Sequence, residues 1–217
     1  MKSDIPQPLS SYDFFSYLAP GFIFLVFIDL FFNLRFILWV KIDIIYGIIV
    51  FITTYITGQI ITSGSSLLAD YLLKLLNSPQ YNLFKKEESR GYLSKLFPGY
   101  LKSFPKETQD KIIGKSKDLN GESLFNHAFG YVRKNNNYKK RLDIQLNQYT
   151  FCRNISFISL LILLINIFIA NPFNGSICKT ILAITIEILI MVVMLYRYLF
   201  FYRRYSAELF TTYMEEK

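Results

Sequence analysis

The sequence predicts an all-α, polytopic membrane protein in which two transmembrane hairpins flank a small helical cytoplasmic bundle. Three observations lead there. Of the 217 residues, 52% are hydrophobic and 18% charged, where a soluble domain carries about a quarter charged residues. The mean hydropathy is accordingly +0.29. The apolar residues collect in two blocks, 14–62 and 154–202, with a polar stretch between them. The net charge of +8 belongs to that stretch, since residues 63–153 hold sixteen Lys and Arg against eight Asp and Glu while the rest of the chain balances. This pattern excludes a disordered chain, a collagen-like fibre, a disulfide scaffold and an ordinary soluble enzyme.

Residues 1–13 form a polar N-terminal segment. A cleaved signal peptide is not expected there, because Lys2 is followed by Asp4, Pro6 and Pro8, and the apolar run beyond is too long. A helix needs about 20 apolar residues to cross the hydrocarbon core. The first block holds two such runs, Phe14–Leu34 and Ile42–Thr62, joined by a stretch with Arg35, Trp39 and Lys41 that suits a membrane interface. In the second block Ile155–Ala170 and Thr180–Tyr202 are separated by Asn171-Pro172 and a Gly-containing turn. Four spans put both termini and residues 63–153 on one side. Lys74, Lys139, Lys140, Arg141, Arg153, Arg203 and Arg204 flank the ends on that side, against Arg35, Lys41 and Lys179 on the other, so the positive-inside rule makes it cytoplasmic.

The cytoplasmic segment reads as about four short helices. Gly64–Asn77 places Leu68, Tyr71, Leu72, Leu75 and Leu76 along one face, and Asn77-Ser78-Pro79 stops it. Gly91, Pro98, Gly99 and Pro105 break the basic stretch that follows, and Pro105 suits the first turn of a helix over Lys106–Lys117. Another helix runs from Gly121 to about Arg133 with a stripe of Leu124, Phe125, Ala128, Phe129 and Val132. The last, Tyr138–Asn154, aligns Leu142, Leu146 and Tyr149 and enters span three. Residues 203–217 form the cytoplasmic end of the final helix.

Polar residues inside the apolar runs are the candidate functional positions. Asp29 and Asn33 in span one, Asn166 in span three and Glu187 in span four all lie in the outer half, near Arg35. A charge at the bilayer centre costs roughly 2.5–3.5 kcal/mol on insertion scales, so such groups face a partner or a water-filled path. Two readings follow: a polar constriction shared by one subunit or a ring, or interhelical hydrogen bonds with an Arg35–Glu187 or Arg35–Asp29 pair. Span two carries small residues, Gly47, Thr54, Gly58 and Thr62, continued by Ser65, which permit close helix approach to a neighbouring span or another copy. Gln59 adds a polar contact. At the inner rim Arg197, Arg203 and Arg204 alternate with aromatic rings, matched by Tyr149, Phe151 and Arg153. With Lys139, Lys140 and Arg141 these are expected to meet lipid headgroups or an anionic partner.

Enzyme signatures are missing: there is no Gly-rich phosphate loop, no G-x-S-x-G and no H-E-x-x-H. His127 is the only imidazole and has no nucleophile, acid or metal partner nearby in sequence. Cys152 and Cys178 match no metal or redox spacing and fall on opposite sides of the bilayer in this topology. No catalytic residue, metal or cofactor is expected.

Three stretches, YDFFSYLAPGFIFL before and within span one, QYTFCRN before span three and YRYLFFYRRYSAEL after span four, carry a resemblance. The chain resembles small four-span bacterial membrane proteins of antiviral defence systems, accessories of RNA-targeting CRISPR systems or membrane partners of short Argonautes. That resemblance implies an inner-membrane oligomer that permeabilises or depolarises the membrane when a cytoplasmic partner detects invasion. The residues themselves leave two functions open. One is a homo-oligomeric effector whose basic bundle receives a protein, nucleotide or nucleic-acid trigger. The other is a membrane anchor or sensor that holds and releases a cytoplasmic effector. A solute transporter fits less well, since broken helices do not occur in paired positions of the two hairpins.

Overall fold

The computed structural model describes residues 10–37, 43–84, 97, 99–115, 121–133, 136–168 and 177–215, without the side chains of 121, 122, 133, 136–140 and 177–180. All regular structure among the described residues is helical. In chain order the helices are α1 (Ser11–Phe32), α2 (Ile44–Leu76), α3 (Pro79–Asn82), α4 (Lys106–Lys115), α5 (Gly121–Arg133), α6 (Asn136–Phe168) and α7 (Ile177–Glu215). Four of them, α1, α2, α6 and α7, are long and apolar enough to cross a membrane. At 1.5 Å per residue, α2, α6 and α7 each extend about 50 Å or more, well beyond a hydrocarbon core of about 30 Å.

Local chemistry sets the ends of α1. The Ser10 side chain accepts from the Asp13 N–H at 3.1 Å, and the Asp13 carboxylate accepts from the Ser10 N–H at 3.1 Å, a reciprocal cap on two otherwise unmatched donors. The helix then widens over Phe14–Leu18 into a π turn, with the Ala19 N–H reaching back to the Phe14 carbonyl. Pro20 follows, and it has no N–H to offer the Ser16 carbonyl four residues earlier. At the far end Asn33 takes the left-handed conformation (φ 51°), as does Arg35 (φ 57°). The buried Asp29 carboxylate accepts the Phe36 and Ile37 N–H groups at 2.6 and 3.1 Å, which fixes the turn leaving the helix.

Packing divides the chain into two compact units, Met1–Ala69 with Thr150–Leu195, and Asp70–Tyr149 with Tyr196–Lys217. In the first, Ile61, Ile155 and Ile158 are buried with Phe24, Phe151, Phe157, Ile162 and Met194 around them. Its tightest contact is the crossing of α1 and α2. A side-chain carbon on Gly58 would stand 2.0 Å from the Tyr17 carbonyl oxygen, and one on Gly21 would stand 2.1 Å from that of Thr54. The small-residue stripe of span two therefore serves a neighbouring span of the same chain. Gly47 is the exception: a carbon added there meets nothing within 4 Å, because it borders an apolar cleft of about 450 Å³ beside Phe22 and Phe51.

The second unit has an aliphatic and aromatic core of Leu83, Ile112, Leu124, Ala128, Val132, Leu142, Tyr205, Leu209, Phe210 and Tyr213. The α5 stripe supplies Leu124, Ala128 and Val132 to it, with Phe125 and Phe129 at its margin. Lys115 ties the end of α4 to α7, donating to the Tyr213 carbonyl at 2.6 Å with its ammonium over the Tyr131 and Tyr213 rings. An Arg141–Glu208 ion pair at 2.9 Å joins α6 to α7. At the end of α2, Asn77 takes φ 58°. Its carbonyl accepts from the Asn82 amide at 3.2 Å and the Tyr100 hydroxyl at 2.8 Å.

The Gly64–Asn77 stretch departs from the sequence reading. Helical periodicity puts Leu68, Tyr71, Leu72, Leu75 and Leu76 on one face, yet Leu68, Tyr71 and Leu75 are exposed, while Ala69 and Leu76 are buried. The buried side of α2 follows Gly58, Ser65 and Ala69, because close approach between helices selects small side chains there. Hydrophobic bulk does not mark that side, because Leu68, Tyr71 and Leu75 carry the apolar surface of the helix past it.

Two outcomes follow. Gly58→Ala is expected to destabilise the protein by about 3 kcal/mol through overpacking, while Gly47→Ala is neutral or slightly stabilising; denaturant titration in detergent compares them. Burial pushes the Tyr100 hydroxyl well above its ordinary value of 10.0, and Tyr198 and Tyr202 nearby add to the shift. Above about pH 10 the unfolded chain ionises this group while the folded chain does not, so stability falls as pH rises. Tyr100→Phe should flatten that alkaline slope and remove about 1 kcal/mol at pH 7, as read from unfolding curves at pH 7 and 11.

Candidate functional site

The Ser16 carbonyl, deprived of its donor by Pro20, becomes the centre of a buried polar clasp in the first unit. Thr62 of α2 donates its hydroxyl to this oxygen at 2.8 Å, and Asn154 of α6 donates its amide to it at 2.8 Å. The same Asn154 amide nitrogen donates to the Thr62 hydroxyl at 2.9 Å, and its carbonyl accepts from the Ser65 hydroxyl at 2.5 Å. Arg153 completes the set, its Nε donating to Ser65 Oγ at 3.1 Å. Asn154 and Ser16 are 0% exposed and Ser65 1%, so three apolar helices meet at a point closed to solvent. In a low-dielectric surrounding such bonds are strong and an unmade one is expensive, which makes the register of α1, α2 and α6 specific.

Against this clasp, the polar residues singled out from sequence do not converge. Asp29 is engaged with the backbone of the turn at Phe36 and Ile37. Asn33 and Arg35 are exposed turn residues, and among the described residues Arg35 pairs with neither Asp29 nor Glu187. The expected Arg35 ion pair is therefore replaced by a cap: Asp29 sits where backbone N–H groups lack other acceptors, and they reach it first. Asn166 and Glu187 do come together, with the Asn166 amide donating to Glu187 Oε1 at 2.5 Å across α6 and α7. Glu187 Oε2 is buried with no hydrogen-bond partner among the described residues, as are the hydroxyls of Ser16 and Thr54.

The basic set divides as well. Arg153, expected at the headgroups, turns into the clasp, because the Ser65 hydroxyl offers an acceptor beside it. Arg203 donates Nη2 to the Lys102 carbonyl at 2.8 Å. Arg141 pairs with Glu208. Arg197 lies over the Phe201 ring at 5.7 Å and, like Arg204, stays exposed. The side chains of Lys139 and Lys140 lie outside the described residues, as does that of Cys178.

Sequence reasoning missed Ser16 and Asn154. A signal for the first was present: a proline inside an apolar span leaves the carbonyl four residues back without its helical donor. Asn154 stood within a stretch read for its aromatic and basic residues. His127 is exposed and meets the Tyr213 ring edge-on at 5.7 Å. Among the described residues no three His, Cys, Asp or Glu side chains gather as a metal site would require.

Asn154→Leu is expected to lower stability by about 2 kcal/mol and Ser65→Ala by about 1, with the double variant well short of their sum because the two residues share one network. Thermal unfolding of the four proteins in the same detergent closes that cycle.

Compared with known proteins, the chain matches no family model, no curated protein and no solved structure.

Proposed function

We propose that the chain is a non-enzymatic protein of the bacterial inner membrane, a homo-oligomeric effector that permeabilises or depolarises the membrane in antiviral defence. Its basic helical domain, on the cytoplasmic side with both termini, receives a protein, nucleotide or nucleic-acid trigger. The observation that carries this reading is the unequal packing of α7. Only 6% of its apolar spanning stretch is buried within the protein, and Leu182, Leu189 and Val192 are exposed. The same helix supplies Tyr205, Leu209, Phe210 and Tyr213 to the core of the second unit. A segment with few buried contacts rearranges at lower cost than a packed core, so a ligand acting on α7 would shift its spanning part by breaking few contacts, the Asn166–Glu187 bond among them. Such a ligand must contact the two arrangements differently. The Arg141–Glu208 pair and the Lys115–Tyr213 contact are where that difference would be felt.

A specific observation also favours the alternative, a membrane anchor that recruits and releases a cytoplasmic effector. Among the described residues the Asp29 carboxylate and the Asn154 and Asn166 amides are all hydrogen-bonded within their own chain, so these three groups line no polar path along a single copy.

Induced expression with a voltage-sensitive dye separates the two. The effector reading expects depolarisation, and an ion leak in liposomes that Glu187→Gln alters several-fold at unchanged insertion. An intact potential together with co-purification of a cytosolic protein supports the anchor instead.

A further inference from the structure

We infer that the apolar cleft between α1 and α2 is a binding site for an acyl chain of a membrane phospholipid. The inference needs only that these helices lie in a bilayer, and it is independent of the effector and anchor readings above. The cleft holds about 450 Å³, within the size range of ligand pockets, roughly 300–1,000 Å³. Phe14, Phe22 and Ile23 line it from α1, and Gly47, Phe51 and Thr54 from α2. Phe22, Ile23 and Phe51 are 46%, 41% and 47% exposed, so the cleft is open to its surroundings.

Its depth follows from the two apolar runs. Phe22 is two residues from the middle of 14–34, and Phe51 is one from the middle of 42–62. No charged residue lies between Asp13 and Asp29 on α1 or between Asp43 and Asp70 on α2. The cleft therefore opens onto the hydrocarbon core and not onto the headgroups.

The wall is almost wholly carbon. Thr54 is the one polar residue in it, and its hydroxyl is buried behind the surface, where an occupant of the cleft does not reach it. Water needs two to four polar partners to settle in a cavity and finds none here. A ligand that binds through hydrogen bonds fails for the same reason. Hydrocarbon asks for nothing the wall lacks.

Gly47 adds to this. Gly21 and Gly58 are required by the backbone of the facing helix, but a side-chain carbon on Gly47 would meet nothing within 4 Å. Glycine inside a helix is destabilising, and no protein group takes up the space it leaves. A chain lying in the cleft would rest against that bare backbone.

Between spans the hydrophobic effect gives no preference, since lipid tails are as apolar as the wall. Contact decides instead. A chain on an open helix face is touched from one side, whereas in the cleft two helices touch it, and dispersion grows with the number of contacts. An empty cleft forfeits those contacts outright. Phospholipid surrounds this surface as its solvent, so the extra contact is enough to keep the cleft occupied.

The test uses the full chain in phosphatidylethanolamine–phosphatidylglycerol vesicles that include a phospholipid with a photoreactive diazirine midway along one acyl chain. Illumination should place adducts on Ile23 and Phe51 several-fold more often than on Ile52 and Ile56, which are 50% and 52% exposed but lie outside the cleft. Gly47→Phe, which fills the space, should cut the adducts at 23 and 51 several-fold and leave those at 52 and 56 unchanged; Gly47→Leu should cut them less. Equal labelling of the two pairs in the unsubstituted protein overturns the inference, because the cleft then holds lipid no better than an open face. Val50→Cys, with Cys152 and Cys178 replaced by Ala, should neither react with a water-soluble maleimide nor cross-link between copies on oxidation. Reaction overturns the site in favour of a wet cleft, and cross-linking overturns it in favour of a second copy of the chain.

Discussion

In a lipid surround a backbone carbonyl has only other parts of the protein to turn to, and the fold of the first unit depends on how one such oxygen is satisfied. Pro20 removes the donor that would meet the Ser16 carbonyl in a regular helix, and the turn before it opens into a π conformation. The oxygen is then met by Thr62 and Asn154. Those two side chains lie on different helices, so satisfying one group also fixes the mutual register of three. The glycines at 21 and 58 make this possible, since only bare backbones let α1 and α2 approach closely enough.

The second unit is held together on different terms. Its core is ordinary large apolar packing, with Tyr213, Phe210, Leu83 and Ile112 among its fully buried side chains, and its polar contacts lie at the margin. There the hydrophobic effect carries the association. Between spans, where lipid is as apolar as leucine, it contributes little, and shape and hydrogen bonds decide instead. One helix, α7, contributes to both kinds of packing and is densely packed only in its C-terminal part.

The four apolar helices were legible in the sequence because hydropathy over 20 residues is a bulk property that survives any local arrangement. The stripe Leu124, Ala128 and Val132 was legible for a similar reason, as the opposite side of that helix is polar and the period shows. The face of α2 beyond the span was not, since Leu68, Tyr71 and Leu75 extend the apolar surface past the buried side and Ala69 rather than Leu68 turns inward. The polar residues were found, but their pairings were not. Asp29 engages a backbone turn that arises only when Asn33 and Arg35 adopt left-handed conformations, and Arg153 finds Ser65 across a helix crossing 88 residues away in sequence. Such long-range partners leave no mark in a local pattern. Ser16 could have been found from Pro20 alone.

The clasp also imposes an order on biogenesis. Thr62 lies 46 residues after Ser16 and Asn154 lies 138 after it, so translation supplies the hydroxyl long before the carboxamide. While the ribosome is still making the intervening residues, α1 and α2 of the nascent chain offer that carbonyl only the Thr62 hydroxyl. The arrival of α6 then completes the set, which makes Asn154 the group that joins a third apolar helix to the pair made before it.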